Sequence, residues 1–306
     1  MKATAQPLIE PLVVTEKTRF AILSELVKMR LTSLVLLTTA VGFYVGVRGP
    51  MNWTLLFHTL LGTAFVASGA AALNQLIERE HDAKMRRTED RPLPSGRLQP
   101  EMALLFGGII SSIGLGYLAL NVNLLTSILG IVTLLSYLFV YTPLKRITSL
   151  NTVIGAIPGA LPPLMGWTAA RGEINAEGWS LFAILFFWQL PHFLAIAWMY
   201  REDYARGGFV MLPVIDPDGI RTGKQAVSHT LGLMSVSLFP VLLGLAGWYY
   251  CAGAILFGAL FLTAAIRFSN RLTMSSARQL FFASIIYLPL LLGLMVFDKI
   301  KNLNLN

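Results

Sequence analysis

Charge is scarce in this chain. Only 13% of its 306 residues are Asp, Glu, Lys or Arg while 55% are hydrophobic, against a soluble norm of about 25% charged. That balance excludes an ordinary soluble domain and implies a membrane protein. Cysteine is scarcer still: Cys251 stands alone in an apolar stretch, so no intramolecular disulfide can form and neither redox chemistry nor a cysteine metal site is supported. Acids are also few, 16 against 24 Lys and Arg, for a net charge of +8. Those bases lie in short segments between apolar runs rather than along the continuous stripe that nucleic acid would need, so no nucleic-acid partner is expected.

What is abundant is apolar sequence. Segments long enough to cross a hydrocarbon core of about 30 Å fall near 31–48, 53–77, 102–120, 123–143, 151–170, 178–200, 229–249, 251–267 and 280–298. The fold class is therefore all-α, a polytopic membrane protein with nine transmembrane helices, the seventh and eighth nearly abutting. Residues 1–30 read as a cytosolic N-terminal tail, helical near 16–30 and without a cleaved signal peptide; 31–298 form a single transmembrane domain, and 299–306 a short C-terminal tail. With the N-terminus inside, 20 of the 24 Lys and Arg fall on the cytosolic side, the asymmetry expected of positive-inside topology. An odd number of spans then puts the C-terminus on the opposite side.

The polar residues are not scattered. Asn74, Glu78 and Asp82 recur every four positions at the end of span two, so on a helix they share one face over about two turns. One amide and two carboxylates suit a hard cation such as Mg2+, which takes one or two carboxylates and leaves room for water and phosphate. The basic residues around and after them, Arg79, Lys84, Arg86, Arg87, Arg91 and Arg97, would suit a diphosphate. A solvated loop that only sets topology is the plain alternative. Two further clusters fall on the same side: Tyr141 to Arg146 after span four, and Arg201 to Arg206, with Glu202 and Asp203, after span six. Acids at Asp82 and Asp203 suggest two facing halves with a site between them.

Other residues carry weaker signals. His192 follows Pro191 inside span six, where an ionisable group is a functional candidate by default; a satisfied core histidine is the alternative. His58 and His229 read as structural, and His81 as exposed or supporting. Span five opens with small residues and Pro158, Pro162 and Pro163, which fits either close helix packing or a broken helix lining a cavity. Gly207 to Pro213 reads as a lid or as a plain connector.

Taken together, Asn74-x-x-x-Glu78-x-x-x-Asp82, the Asp82 to Leu93 run, Tyr141-Thr142-x-Leu144-Lys145-Arg146, Gly159-Ala160-x-Pro162-Pro163-Leu164-x-Gly166-Trp167 and Trp188-Gln189-x-Pro191-His192-Phe193 resemble the UbiA superfamily of membrane prenyltransferases, and within it the branch that farnesylates haem. The likeness runs from about residue 20 to 298. It implies a UbiA-type bundle with a central cavity in a bacterial inner membrane, Mg2+ as cofactor, and farnesyl diphosphate, haem b and membrane lipid as partners, with haem A synthase a candidate protein partner. By this resemblance the metal is held by Asn74, Glu78, Asp82 and Asp203; catalysis falls to these with Tyr141 and Lys145; Arg86, Arg87, Arg91 and Arg146 hold diphosphate; Trp188 and His192 lie towards the porphyrin. Two departures stand out. Glu78 replaces the family's usual Asp, and Met199 stands four residues before Asp203, where the superfamily's second acidic motif would begin. Competing readings are a prenyltransferase acting on an aromatic quinone precursor and a secondary transporter of a small anion.

Overall fold

The computed structural model describes residues 17–300, so the first sixteen residues of the N-terminal tail and residues 301–306 of the C-terminal tail lie outside it. Among the described residues nine segments are long and apolar enough to cross a membrane. The chain runs α1 (Arg19–Leu26), α2 (Met29–Gly46), α3 (Trp53–Asp82), α4 (Pro100–Asn121) and α5 (Leu124–Leu135), continued by a π-helical turn (Ser136–Tyr141) and α6 (Thr142–Leu144). There follow α7 (Asn151–Arg171), α8 (Ala176–Met199), the short α9 (Arg201–Arg206) and α10 (Leu212–Ile215), α11 (Ile220–Val236), α12 (Phe239–Leu242), α13 (Trp248–Arg271) and α14 (Met274–Phe297).

Helices α7 and α8 form the middle of the bundle. Their most apolar windows are 67% and 61% buried, against 28–44% for the other seven spans, so their partners are protein and the others' partner is largely lipid. Around them α2 packs on α7, α11 and α14 close on α8, and α13 packs behind them on α11 and α14, while α3 pairs with α4. Lipid tails are as apolar as any side chain, so close backbone approach through small residues drives such contacts. A Cβ on Gly166 would fall on the Thr39 carbonyl, and one on Gly42 on the Pro163 carbonyl; α2 and α7 meet backbone to backbone there. Span five is not broken: α7 continues through Pro158, Pro162 and Pro163, all three buried, because neighbouring helices shield the freed carbonyls. The cavity-lining alternative gives way to packing.

The seventh span is shifted from its expected place at 229–249 to Ile220–Leu242. Hydropathy misplaced it because its first turns carry Arg221, Lys224 and Gln225. Gly219, left-handed at φ 71°, leads into the helix, and Asp216 ties down its first turn, its Oδ2 accepting from the backbone N and hydroxyl of Thr222 at 2.7 and 2.8 Å. Spans seven and eight do not abut; Gly244, at φ 69°, turns the chain between them.

Gly166→Val forces a branched side chain into a contact where only backbone faces it, and is expected to cost about 1–3 kcal/mol of stability. Thermal unfolding in detergent, followed by the loss of helical circular dichroism, measures the shift.

Candidate active site

Four polar side chains of α3 are buried at its C-terminal end: Asn74 and Gln75 at 0% exposure, Glu78 at 5% and Asp82 at 1%. Each of the three residues that share the face meets a basic side chain from a different part of the chain. Lys28 Nζ donates to Asn74 Oδ1 at 2.7 Å, Lys145 Nζ to Glu78 Oε1 at 2.8 Å, and Arg91 Nη1 to Asp82 Oδ2 at 2.6 Å. An ammonium only donates, so the Asn74 oxygen must face Lys28; its amide nitrogen turns to Thr142 Oγ1 at 3.1 Å.

The π-helical turn brings Lys145 here. Pro143 has no N–H and cannot extend an ordinary ladder; the Thr142 N–H reaches back five residues to the Tyr137 carbonyl, and the Thr142 hydroxyl donates to the same oxygen at 2.8 Å. Such widened turns recur at functional sites. Tyr137 and Tyr141 stack with centroids 5.7 Å apart, and the Lys145 ammonium lies 4.5 Å from the Tyr141 ring centre. Tyr141 in turn lies against Gly155 of α7, where any Cβ would meet its ring. Burial works against the Lys145 charge, but Glu78 outweighs it and holds the pKa above the ordinary lysine value.

By residue order Lys28 is one of the basic residues of the N-terminal tail and no candidate for the site. It sits between α1 and α2 in a left-handed conformation (φ 48°, ψ 53°), which costs an L-residue roughly 1–2 kcal/mol. Gln75 fixes that turn, donating to the Glu25 and Leu26 carbonyls at 2.9 and 2.8 Å. Burial, with Arg91 beside it, pushes the Lys28 ammonium down to about 7. Its one visible signal in the sequence is its place at the boundary of the first apolar run.

The remaining expected residues divide. Asp203 is buried but does not join Glu78 and Asp82 in direct contact: it is engaged by Arg206 and accepts from the Arg86 backbone N at 3.3 Å, so it anchors the turn after α3. Arg86 and Arg206, with Arg201, Trp198 and Met199, line a separate cavity of about 330 Å3. Arg87 lies over the rings of Tyr200 and Tyr204, 5.1 and 5.6 Å from their centres. Arg146 contacts His81 Nε2 at 3.2 Å, and His81 Nδ1 meets the Gly207 carbonyl at 2.8 Å. The segment after α9 covers the site: Phe209 is buried 5.8 Å from the Lys145 ammonium, and the Val210 N–H donates to the Lys145 carbonyl at 2.7 Å. His192 and Trp188 join α8 to α14, His192 Nδ1 to Ser284 Oγ at 2.7 Å and Trp188 Nε1 to the Ser284 carbonyl at 2.8 Å; the His192 ring stacks between Trp188 and Phe281.

Among the described residues no three His, Cys, Asp or Glu side chains gather as a metal cluster. The oxygen donors on one face are two carboxylates and one amide, a set that can hold a hard cation whose other positions go to phosphate and water, with three bases beside it for the phosphate.

A sequence profile described as the UbiA prenyltransferase family matches residues 35–286. The chain belongs to that family. Among similar proteins, the protoheme IX farnesyltransferase of Solibacter usitatus is 50% identical over 284 residues, covering 90% of this chain and 97% of the relative; that of Myxococcus xanthus is 45% identical over 279 residues, covering 91% and 94%. Two solved UbiA-type folds superpose along nearly the whole chain. A digeranylgeranylglyceryl phosphate synthase gives a TM-score of 0.77 at 17% identity over 91% of this chain and 98% of its own. A UbiA homologue of Archaeoglobus fulgidus, solved with GPP and Mg2+, gives 0.63 at 16% identity over 90% and 99%. At that identity the two structures show the UbiA bundle and no more.

Removing one partner of a buried ion pair strands the other. Lys145→Met is expected to cost about 3–5 kcal/mol by leaving Glu78 unpaired, and adding Glu78→Gln is expected to restore most of it. Thermal unfolding of the single and double variants measures both.

Proposed function

We infer that this protein transfers the farnesyl group of farnesyl diphosphate to a vinyl group of haem b, with addition of water, giving haem O and diphosphate. The observation that carries this is 50% identity, over 97% of its length, to a protoheme IX farnesyltransferase. The chemistry asks for a site that takes negative charge from a leaving group at the edge of an apolar bundle. The face of α3 supplies one.

In this scheme Asn74, Glu78 and Asp82 would hold Mg2+, which would supply positive charge to neutralise the departing diphosphate. Those donors fit it, since a cation of this type accepts two carboxylates when phosphate and water complete its shell. Lys145 and Arg91 hold the diphosphate oxygens as the C1–O bond breaks and its electron pair leaves with them. Tyr141, its ring flat beside the Lys145 ammonium, faces the allylic cation. The haem vinyl group attacks C1, and water captures the resulting cation and releases a proton. Phe209 and the segment around it keep bulk water from the allylic centre. Arg86, Arg87 and Arg146 draw the anionic substrate in from the polar end. Asp203 would have to release Arg206 to reach a metal, and we assign it chiefly to holding the Arg86 turn. We place His192 at the porphyrin through Nε2, which has no hydrogen-bond partner among the described residues, with Trp188 fixing its ring.

We orient the N-terminus and the site towards the cytosol, supported by the 20 of 24 basic residues on that side and by the solubility of farnesyl diphosphate's charged end. The bacterial inner membrane is the matching location. Haem A synthase, which would receive haem O, is the protein partner we expect.

Mass spectrometry of haem extracted from membranes carrying the protein tests the assignment, with haem O as the expected product. Asp82→Asn is expected to lower its yield at least about 100-fold. A prenylated aromatic compound in place of farnesylated haem would reassign the acceptor. His192→Ala is expected to raise the KM for haem several-fold while leaving the KM for farnesyl diphosphate near its original value; steady-state kinetics with each substrate varied in turn separates the two.

A further inference from the structure

Of the three cations on the α3 face, Lys28 is the one the scheme above does not use. It differs from Lys145 and Arg91 in its partner. Those two meet carboxylates, whereas Lys28 meets the uncharged oxygen of Asn74. Among the described residues its ammonium, part-buried, forms no ion pair with a carboxylate. The chain nevertheless holds it there with care, through a left-handed turn at Lys28 itself and two hydrogen bonds from Gln75, the neighbour of Asn74.

The three pairs also share a pattern. Every oxygen donor on this face, Asn74, Glu78 and Asp82, already faces a basic side chain. With two carboxylates against three bases, the face carries excess positive charge. A bare divalent cation arriving there must displace the bases and then remain beside them, repelled by all three. A diphosphate changes the balance, because it brings more negative charge than one divalent cation cancels and gives the displaced bases new partners.

We propose that Lys28 is a diphosphate-binding residue that occupies Asn74 in the ligand-free protein and transfers to the diphosphate when substrate enters, so that a divalent cation is taken up together with a diphosphate and not before it. This rests on the reading of Asn74, Glu78 and Asp82 as the metal side of the site. It assigns the α1–α2 turn a part in catalysis: that turn, ahead of the first span, delivers a substrate contact to the middle of the site. No covalent step is involved: Lys28 exchanges a hydrogen bond to a neutral amide oxygen for a charged contact with phosphate.

Equilibrium dialysis of Mn2+ against the full-length protein in detergent, with and without inorganic diphosphate, tests it. Wild-type protein is expected to retain one Mn2+ per chain with diphosphate present and to bind Mn2+ alone at least about tenfold more weakly. Lys28→Met is expected to bind Mn2+ alone about tenfold more tightly than wild type and to lose about tenfold in affinity for diphosphate, while Lys28→Arg follows wild type. Tight, stoichiometric Mn2+ binding by wild type without diphosphate overturns the proposal and leaves the metal site standing. If Lys28→Met fails to fold, that wild-type comparison still decides. Absence of Mn2+ binding under both conditions overturns the metal reading of α3, and this proposal with it.

Discussion

Two carboxylates buried on one helix at the edge of a hydrocarbon layer are the constraint to which the polar end of this bundle answers. Alone, either charge would be expensive to keep there. The chain meets that cost with one base from each of two separate segments, Arg91 from the loop after α3 and Lys145 from beyond the π-turn, and adds Lys28 from ahead of the first span. These contacts span 9, 67 and 46 residues of sequence, so the same groups that can bind a diphosphate also bind the ends of the helices together. In the proposed scheme, ligand binding and cohesion draw on one set of charges.

Local irregularities near that face have a common cause. The wide turn before Pro143 and the left-handed backbone at Lys28 both depart from regular geometry, and both aim a lysine at α3. Strained or irregular backbone of this kind persists only where surrounding structure holds it. Here Thr142 closes the first through the Tyr137 carbonyl and Gln75 closes the second. The exposed ion pairs outside, Lys17 with Glu25 and Asp90 and Arg97 with Asp90, add a looser tie between α1 and the loop that carries Arg91; pairs so open to water contribute little on their own.

His192 illustrates how one residue can satisfy two readings. Its Nδ1 contact with Ser284 and its stacking between Trp188 and Phe281 are those of a well-packed core histidine. The same contacts fix the ring plane and, among the described residues, leave the other nitrogen without a hydrogen bond, as a ligand contact would require. Helix α14 thus holds rigid the residue that α8 presents.

The nine apolar segments and the Asn74, Glu78, Asp82 register are legible in the residue order, because hydropathy and a four-residue repeat are local properties that any helix preserves. Residue order places span seven too late, because the first turns of that helix are polar, and leaves the three prolines of span five open between close packing and a broken helix, which neighbouring helices resolve by supplying what the prolines remove. Which base meets which oxygen is settled by packing across the bundle: Lys28 joins the Asn74 amide while Asp203 turns to Arg206, although by spacing and residue type Asp203 is the stronger candidate and Lys28 is none. Ion pairing depends on distance in space, and distances across a bundle are set by how its helices pack.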